Sequence, residues 1–239
     1  MGMIEPPLSD RIAERVREVL ARMGGAARKS GRSPDSIKLV AATKSVPVDR
    51  IEMGLDAGLT ILGENRVQEA LSKIWALQHR NISWHFIGQL QRRKVRSIIG
   101  RFDLIHSVDG VELAREIDRR AGEAGRQQEV LLEVNIGNEP TKAGFRADDL
   151  IPALPALAAL SHLRIKGLMA VPPPTAEAEQ ARPYFAQLRT LAERIAVLKY
   201  PSIAMQDLSM GMSHDYEVAI EEGATFVRIG TAIFGARHV

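Results

Sequence analysis

A strict alternation of short apolar runs with amphipathic stretches constrains this chain more than any single motif. Runs at 39–44, 61–63, 83–88, 104–108, 129–135, 165–171, 207–210 and 226–229 read as buried strands. Between them apolar residues recur at helical spacing, as in Val67, Ala70, Leu71, Ile74 and Leu77, or Val111, Ala114, Ile117 and Ala121. Strands that alternate with helices require a parallel sheet, and eight such units in roughly 200 residues match the smallest closed (β/α)8 barrel. An open doubly wound sheet is the competing arrangement. The strand count and the lack of a G-x-G-x-x-G turn after the first strand favour the barrel.

Ahead of the first strand, Leu8-Ser9-Asp10 offers side-chain caps to a helix whose face carries Ile12, Val16, Val19 and Met23, and Gly24-Gly25 offers its end. The expected organisation is one α/β domain: a single TIM barrel over 37–239 with an extra N-terminal helix and lead-in over 1–36 packed on it.

Charge narrows the partners. Lys and Arg number 32 against 29 for Asp and Glu, a net +3 that suits solubility rather than a polyanion. The densest basic run, Gln91-Arg92-Arg93-Lys94-Val95-Arg96, has no interleaved aromatics on which bases would stack. There is no cysteine, hence no disulfide, thiolate metal site or cysteine nucleophile. The N-terminus lacks the basic start and apolar core of a signal peptide, and no uncharged stretch has bilayer length. These features describe a cytoplasmic protein with no nucleic-acid or membrane partner, a monomer or at most a weak dimer.

In a barrel the strands' C-terminal ends carry the chemistry. Residues there are Lys44, Glu64, Asn65, His85, His106, Ser107, Asn135, Met169, Ser209 and Arg228. Lys44 closes its strand before Ser45-Val46-Pro47, and an amine partly removed from water can lose its proton and attack a carbonyl. The alternative is a lysine that marks where the strand meets solvent.

Ser209-Met210-Gly211-Met212-Ser213 and Gly230-Thr231 each join a strand to a helix with hydroxyls and glycine, as a phosphate dianion requires, or serve only as turns and caps. Arg228 inside Phe226-Val227-Arg228-Ile229 either points into the barrel, where it must meet an acceptor, or outward to a helix carboxylate. His85 and His106 lack metal spacing and read as core or rim histidines, and no metal is expected.

Together, Ala41-Ala42-Thr43-Lys44, Gly63-Glu64-Asn65-Arg66-Val67-Gln68-Glu69, His85-Phe86-Ile87-Gly88, Ile105-His106-Ser107-Val108-Asp109, Gly167-Leu168-Met169, Leu208-Ser209-Met210-Gly211-Met212-Ser213 and Val227-Arg228-Ile229-Gly230-Thr231 closely resemble the pyridoxal phosphate homeostasis protein family. The resemblance implies a barrel of the alanine racemase N-terminal type that holds pyridoxal 5′-phosphate (PLP). Lys44 would form the internal aldimine. Ser209, Gly230 and Thr231 would hold the phosphate, Arg228 would face the pyridine nitrogen, and Asn65, His85 and Met169 would line the ring pocket. Departures at Thr43, Ser45-Val46, Leu62 and Arg93 fall on the rim.

The implied role is intracellular PLP homeostasis without efficient turnover. The racemases that this barrel resembles bring a second acid/base group from an added β-domain, and the barrel is expected to use up this chain. A permanently charged arginine at the ring nitrogen also weakens the ring as an electron sink. The alternatives are a small PLP-dependent amino-acid racemase and an aldolase whose lysine takes a sugar phosphate directly. Amino acids are the expected additional ligands.

Overall fold

The computed structural model describes residues 6–235. Eight parallel strands pair in sequence order and the last returns to the first: β1 (Lys38–Ala42), β2 (Ile61–Glu64), β3 (Ser83–Phe86), β4 (Leu104–Val108), β5 (Gln128–Glu133), β6 (Leu163–Met169), β7 (Ile203–Ser209) and β8 (Phe226–Ile229). Around them lie α1 (Leu8–Lys29), α2 (Val48–Asp56), α3 (Val67–Ala76), α4 (Val95–Ile98), α5 (Val111–Glu123), α6 (Ala147–Ala158), α7 (Arg182–Ala196), α8 (Tyr216–Glu221) and α9 (Thr231–Phe234). The closed (β/α)8 barrel follows from strands too apolar to leave either face in water.

Side-chain alternation sorts each strand into two sets. Val40, Leu104, Leu131, Met169 and Phe226 meet inside the ring. Their neighbours Ala41, Ile105, Val130, Leu132, Val227 and Ile229 face outward and merge with the buried faces of the helices. Below the inner cluster, at the strands' N-terminal ends, Lys38, Asp103, Glu129, Lys166 and Asp207 surround a cavity of about 370 Å³.

The first helix departs from the expected span at both ends. It starts after Pro7 with no side-chain cap, and it runs through Gly24-Gly25 to Lys29 because Met23, Gly24, Ala26 and Ala27 are all buried. Burial of that face outweighs the propensity cost of two glycines, about 1 kcal/mol each. The helix lies against α2, α8 and α9, over the seam where β8 meets β1. Arg32 secures its exit by donating to the carbonyls of Ile220 (3.0 Å) and Ala224 (2.8 Å).

The basic run forms only a 3-10 turn, Arg92–Lys94, followed by the single turn α4, since this stretch supplies only Val95 and Ile98 for burial. Among the described residues no helix is long and apolar enough to cross a membrane.

Candidate functional site

Lys44 stands two residues beyond β1, and the backbone on either side of it is tied down. Thr43 N–H donates to the Gly63 carbonyl (3.0 Å), and Thr43 Oγ1 donates to Glu64 Oε1 (2.5 Å). Lys73 Nζ, on α3, donates to the Thr43 carbonyl (2.6 Å), Glu64 Oε1 (2.8 Å) and Glu69 Oε1 (2.6 Å). Glu69 Oε1 also accepts the Ser45 N–H at 2.6 Å.

Ser45 has φ 61, a left-handed conformation that a non-glycine residue adopts only when its surroundings impose it. The clamp is almost dry, with Lys73 5% and Glu64 0% exposed. Burial pushes the Glu64 carboxyl up, against the pull of Lys73 and Thr43. Glu69 is likewise desolvated, yet Lys73 and the Ser45 N–H hold it below the usual carboxylate range. Lys44 is half-buried, and its amine makes no hydrogen bond or ion pair among the described residues.

The neighbouring strands bring the other candidates beside it. Pairing of Ala42 with Gly63 sets Asn65 on one flank, and pairing of Ala41 with Ile229 sets Gly230 and Thr231 on the other. Gly230 is required by close approach, because a Cβ there would sit 3.0 Å from the Ala42 carbonyl oxygen. The loop after β7 is drawn toward the same spot: Arg228 N–H donates to the Gly211 carbonyl (3.0 Å), Met212 N–H to Asp215 Oδ1 (2.7 Å), and Ala232 N–H only distantly to Ser213 Oγ (3.4 Å). Hydroxyls of Ser213 and Thr231 and the first N–H groups of α9 thus share one edge of the mouth. That donor set fits a phosphate.

Arg228 points inward and is buried. Its Nη1 donates to the Ser209 carbonyl (2.8 Å) and Ser209 Oγ (2.5 Å), and its Nη2 to the Ala170 carbonyl (3.0 Å). Three of the five N–H groups of a guanidinium are committed this way. Burial pushes its pKa down to about 10, so it stays charged at neutral pH. Glu133, two residues beyond the inward Leu131, is pushed up to about 7 by burial and by Asp109, against Arg228 and Lys142.

Met169 lies inside the ring, 2% exposed, beside Phe226 and Leu131. Asn65 is half-buried on the rim, lining a cavity of about 390 Å³ with Gln89, Gln91 and Lys94. Two residues sit elsewhere than expected. His85 points inward by alternation, but its ring leans to the opposite mouth, with Lys38, Asp103 and Phe226 around it, and not to a ring pocket at Lys44. Ser209 is 0% exposed, and its Oγ is already engaged by Arg228 and by His106 Nδ1 (2.8 Å).

Sequence reasoning placed Glu64 at a strand end but missed its clamp with Glu69 and Lys73, and it missed Glu133. The i,i+4 spacing of Glu69 and Lys73 was the available signal for the clamp.

The described residues form a parallel (β/α)8 barrel with an unpartnered amine above its first strand and a donor-lined turn above its last. The sequence matches the family described as alanine racemase, N-terminal domain, over residues 26–238. The chain belongs to the pyridoxal phosphate homeostasis protein family.

The protein of that name from Aquifex aeolicus is 45% identical over 224 residues, covering 94% of this chain and 97% of the relative. The one from Escherichia coli is 42% identical over 232 residues, covering 95% and 97%. Among solved structures, PipY of Synechococcus elongatus, with PLP bound, superposes with a TM-score of 0.82 at 38% identity, covering 94% of this chain and 100% of PipY.

Proposed function

We propose that this protein binds PLP covalently through Lys44 and serves as a cytoplasmic carrier of the coenzyme in PLP homeostasis rather than as an efficient catalyst. The carrying observation is the Lys44 amine, half-buried, held by a rigid backbone and without a partner of its own. When bound, the coenzyme supplies an aldehyde carbon and an electron-withdrawing pyridine ring. The Lys44 amine would condense with that aldehyde with loss of water, which needs no external oxidant or reductant.

Gly230, Thr231 and Ser213 would take the phosphate. Asn65 and Met169 would border the ring, and Arg228 would direct its uncommitted N–H groups to the ring nitrogen. Ser209 supports Arg228 instead of touching the phosphate, and His85 acts at one remove. A guanidinium opposite the ring nitrogen opposes protonation of that nitrogen, which supports binding over turnover. Amino acids are the further ligands at the open mouth. We read the protein as acting as a single chain, with neither nucleic acid nor membrane as partner.

The test is an absorbance titration of purified protein with PLP beside Lys44→Ala. A visible band that saturates in wild type and is missing in the variant is expected. Wild-type protein that stays colourless throughout the titration would overturn the reading.

A further inference from the structure

Two buried histidines and two serines form an unbroken file through the barrel interior. Ser83 Oγ donates to Asp103 Oδ2 at 2.7 Å, and His85 Nε2 lies 3.3 Å from Ser83 Oγ. His85 Nδ1 lies 2.9 Å from His106 Nε2, and His106 Nδ1 lies 2.8 Å from Ser209 Oγ. Ser209 Oγ accepts from Arg228 Nη1 at 2.5 Å. Asp103 precedes β4 at one mouth, and Arg228 sits toward the other, near the end of β8.

The ends of this file dictate its polarity. A guanidinium can only donate and a carboxylate can only accept. With Arg228 filling an acceptor site on Ser209 Oγ, the serine's own hydrogen has to go somewhere, and His106 Nδ1 is its sole acceptor among the described residues. His106 then carries its hydrogen on Nε2 and donates to His85 Nδ1. His85 in turn carries its hydrogen on Nε2 and donates to Ser83, whose hydrogen reaches Asp103.

Every hydrogen in the file then has an acceptor, with Asp103 Oδ2 taking the Trp84 N–H (3.0 Å) as well, and both imidazoles are neutral. Reversing the sequence would leave the Ser209 hydrogen without an acceptor at a site that is 0% exposed. Burial, aided by Lys38 and opposed by Asp103, pushes His85 down to about 4. Burial, with His85 and Arg228 adding to it, holds His106 well below its ordinary value.

We infer that Asp103, Ser83, His85 and His106 are positioning residues: they form one directed hydrogen-bond chain that fixes the Arg228 guanidinium and couples it to the opposite mouth of the barrel. The chain is a property of the protein alone. Its consequence for the coenzyme rests on the proposed role of Arg228. Aligned hydrogen bonds polarise one another, so a change at Asp103 is felt at Arg228 although the two do not touch.

The test uses long-range nitrogen–proton NMR spectra of ligand-free protein with labelled histidine and arginine at pH 7, assigned with His85→Gln and His106→Gln. Both buried histidines are expected as neutral Nε2–H tautomers. Asp103→Asn, which replaces a charged acceptor by a weaker neutral one, should shift the His106 nitrogens and speed Arg228 guanidinium hydrogen exchange by roughly threefold. His106→Gln, whose amide can accept from Ser209 and donate to His85, should keep Arg228 exchange slow, whereas His106→Leu should release it. A merely structural role would let Asp103→Asn lower stability without moving these signals.

An Nδ1–H tautomer or imidazolium at either histidine, or Asp103→Asn without effect on His106, overturns the inference. A protein that shows the Nε2–H pair but takes no PLP supports the chain and refutes the coenzyme reading, so the two failures are distinguishable.

Discussion

Lys73 Nζ donates to the carbonyl of Thr43 at 2.6 Å, one residue before Lys44. A lysine from the helix after the second strand therefore fixes the backbone that presents the lysine after the first. The same ammonium holds Glu64 and Glu69, and Glu69 holds Ser45, so Lys44 leaves a backbone restrained on both sides. Restraint of this kind matters for a covalent site because the backbone that carries the amine does not have to be ordered on binding.

Lys73→Ala should be the most damaging substitution at the site. It strands the buried Glu64 carboxylate, whose Oε2 already has no partner, and removal of one member of a buried ion pair costs about 3–5 kcal/mol. Lys73→Ala with Glu64→Gln should recover much of that loss. Urea denaturation of the three proteins measures it. Equal destabilisation by the single and double variants would contradict a charge-pair clamp.

The two serines of the Ser209-Met210-Gly211-Met212-Ser213 segment should separate by phenotype. Ser213→Ala should weaken PLP binding by roughly tenfold, about one charge-assisted hydrogen bond, with the fold unchanged. Ser209→Ala removes the acceptor of Arg228 and the donor to His106, and should lower stability more than affinity. Equilibrium titration with PLP and with inorganic phosphate reads the first, and thermal unfolding the second. The opposite pattern would return the phosphate role to Ser209.

Glu133 should impose a pH dependence of definite sign. Its folded pKa, about 7, lies above the ordinary 4.5, so its contribution is fully present below pH 4.5 and is lost as pH rises through 7. Glu133→Gln should match wild type below pH 4.5 and become relatively more stable toward pH 7, by up to about 3 kcal/mol. His85 runs the other way: lowered from 6.5 to about 4, it contributes fully above pH 6.5 and less as pH falls to 4. Chemical denaturation at intervals from pH 4 to 8 tests both, and a Glu133→Gln difference that does not change with pH would contradict the first.

Turnover should stay low. With an arginine as the ring-nitrogen partner, deuterium should enter the α-carbon of L-alanine or L-serine slowly in the PLP-loaded protein. Arg228→Glu, if it loads, should speed that exchange. Mass spectrometry of the recovered amino acid measures it, and rapid wash-in by wild type would favour a racemase.

The barrel was legible because its signal is additive: strand and helix periods repeat eight times, so no single boundary decides the outcome. The site was less so, because period two tells which face a residue takes only once the strand's phase is known. Phe226-Val227-Arg228-Ile229 has no polar–apolar alternation to set that phase, and only the closed ring shows Phe226 and Arg228 inward and Val227 and Ile229 outward. Glu64 ends a strand yet faces out, under α3, where Lys73 meets it. His85 faces in but leans to the far mouth, a direction that strand position does not specify. Ser209 and Ser213 belong to one motif, but the first lies within the ladder and the second in the loop beyond it.

Borohydride reduction of PLP-loaded protein, followed by mass-spectrometric mapping of the labelled peptide, bears most directly on the central claim. The expected result is one stoichiometric adduct on Lys44 that disappears in Lys44→Ala. An adduct on Lys73, Lys94 or Lys142 in place of Lys44, or one that persists at full yield in the variant, would contradict it.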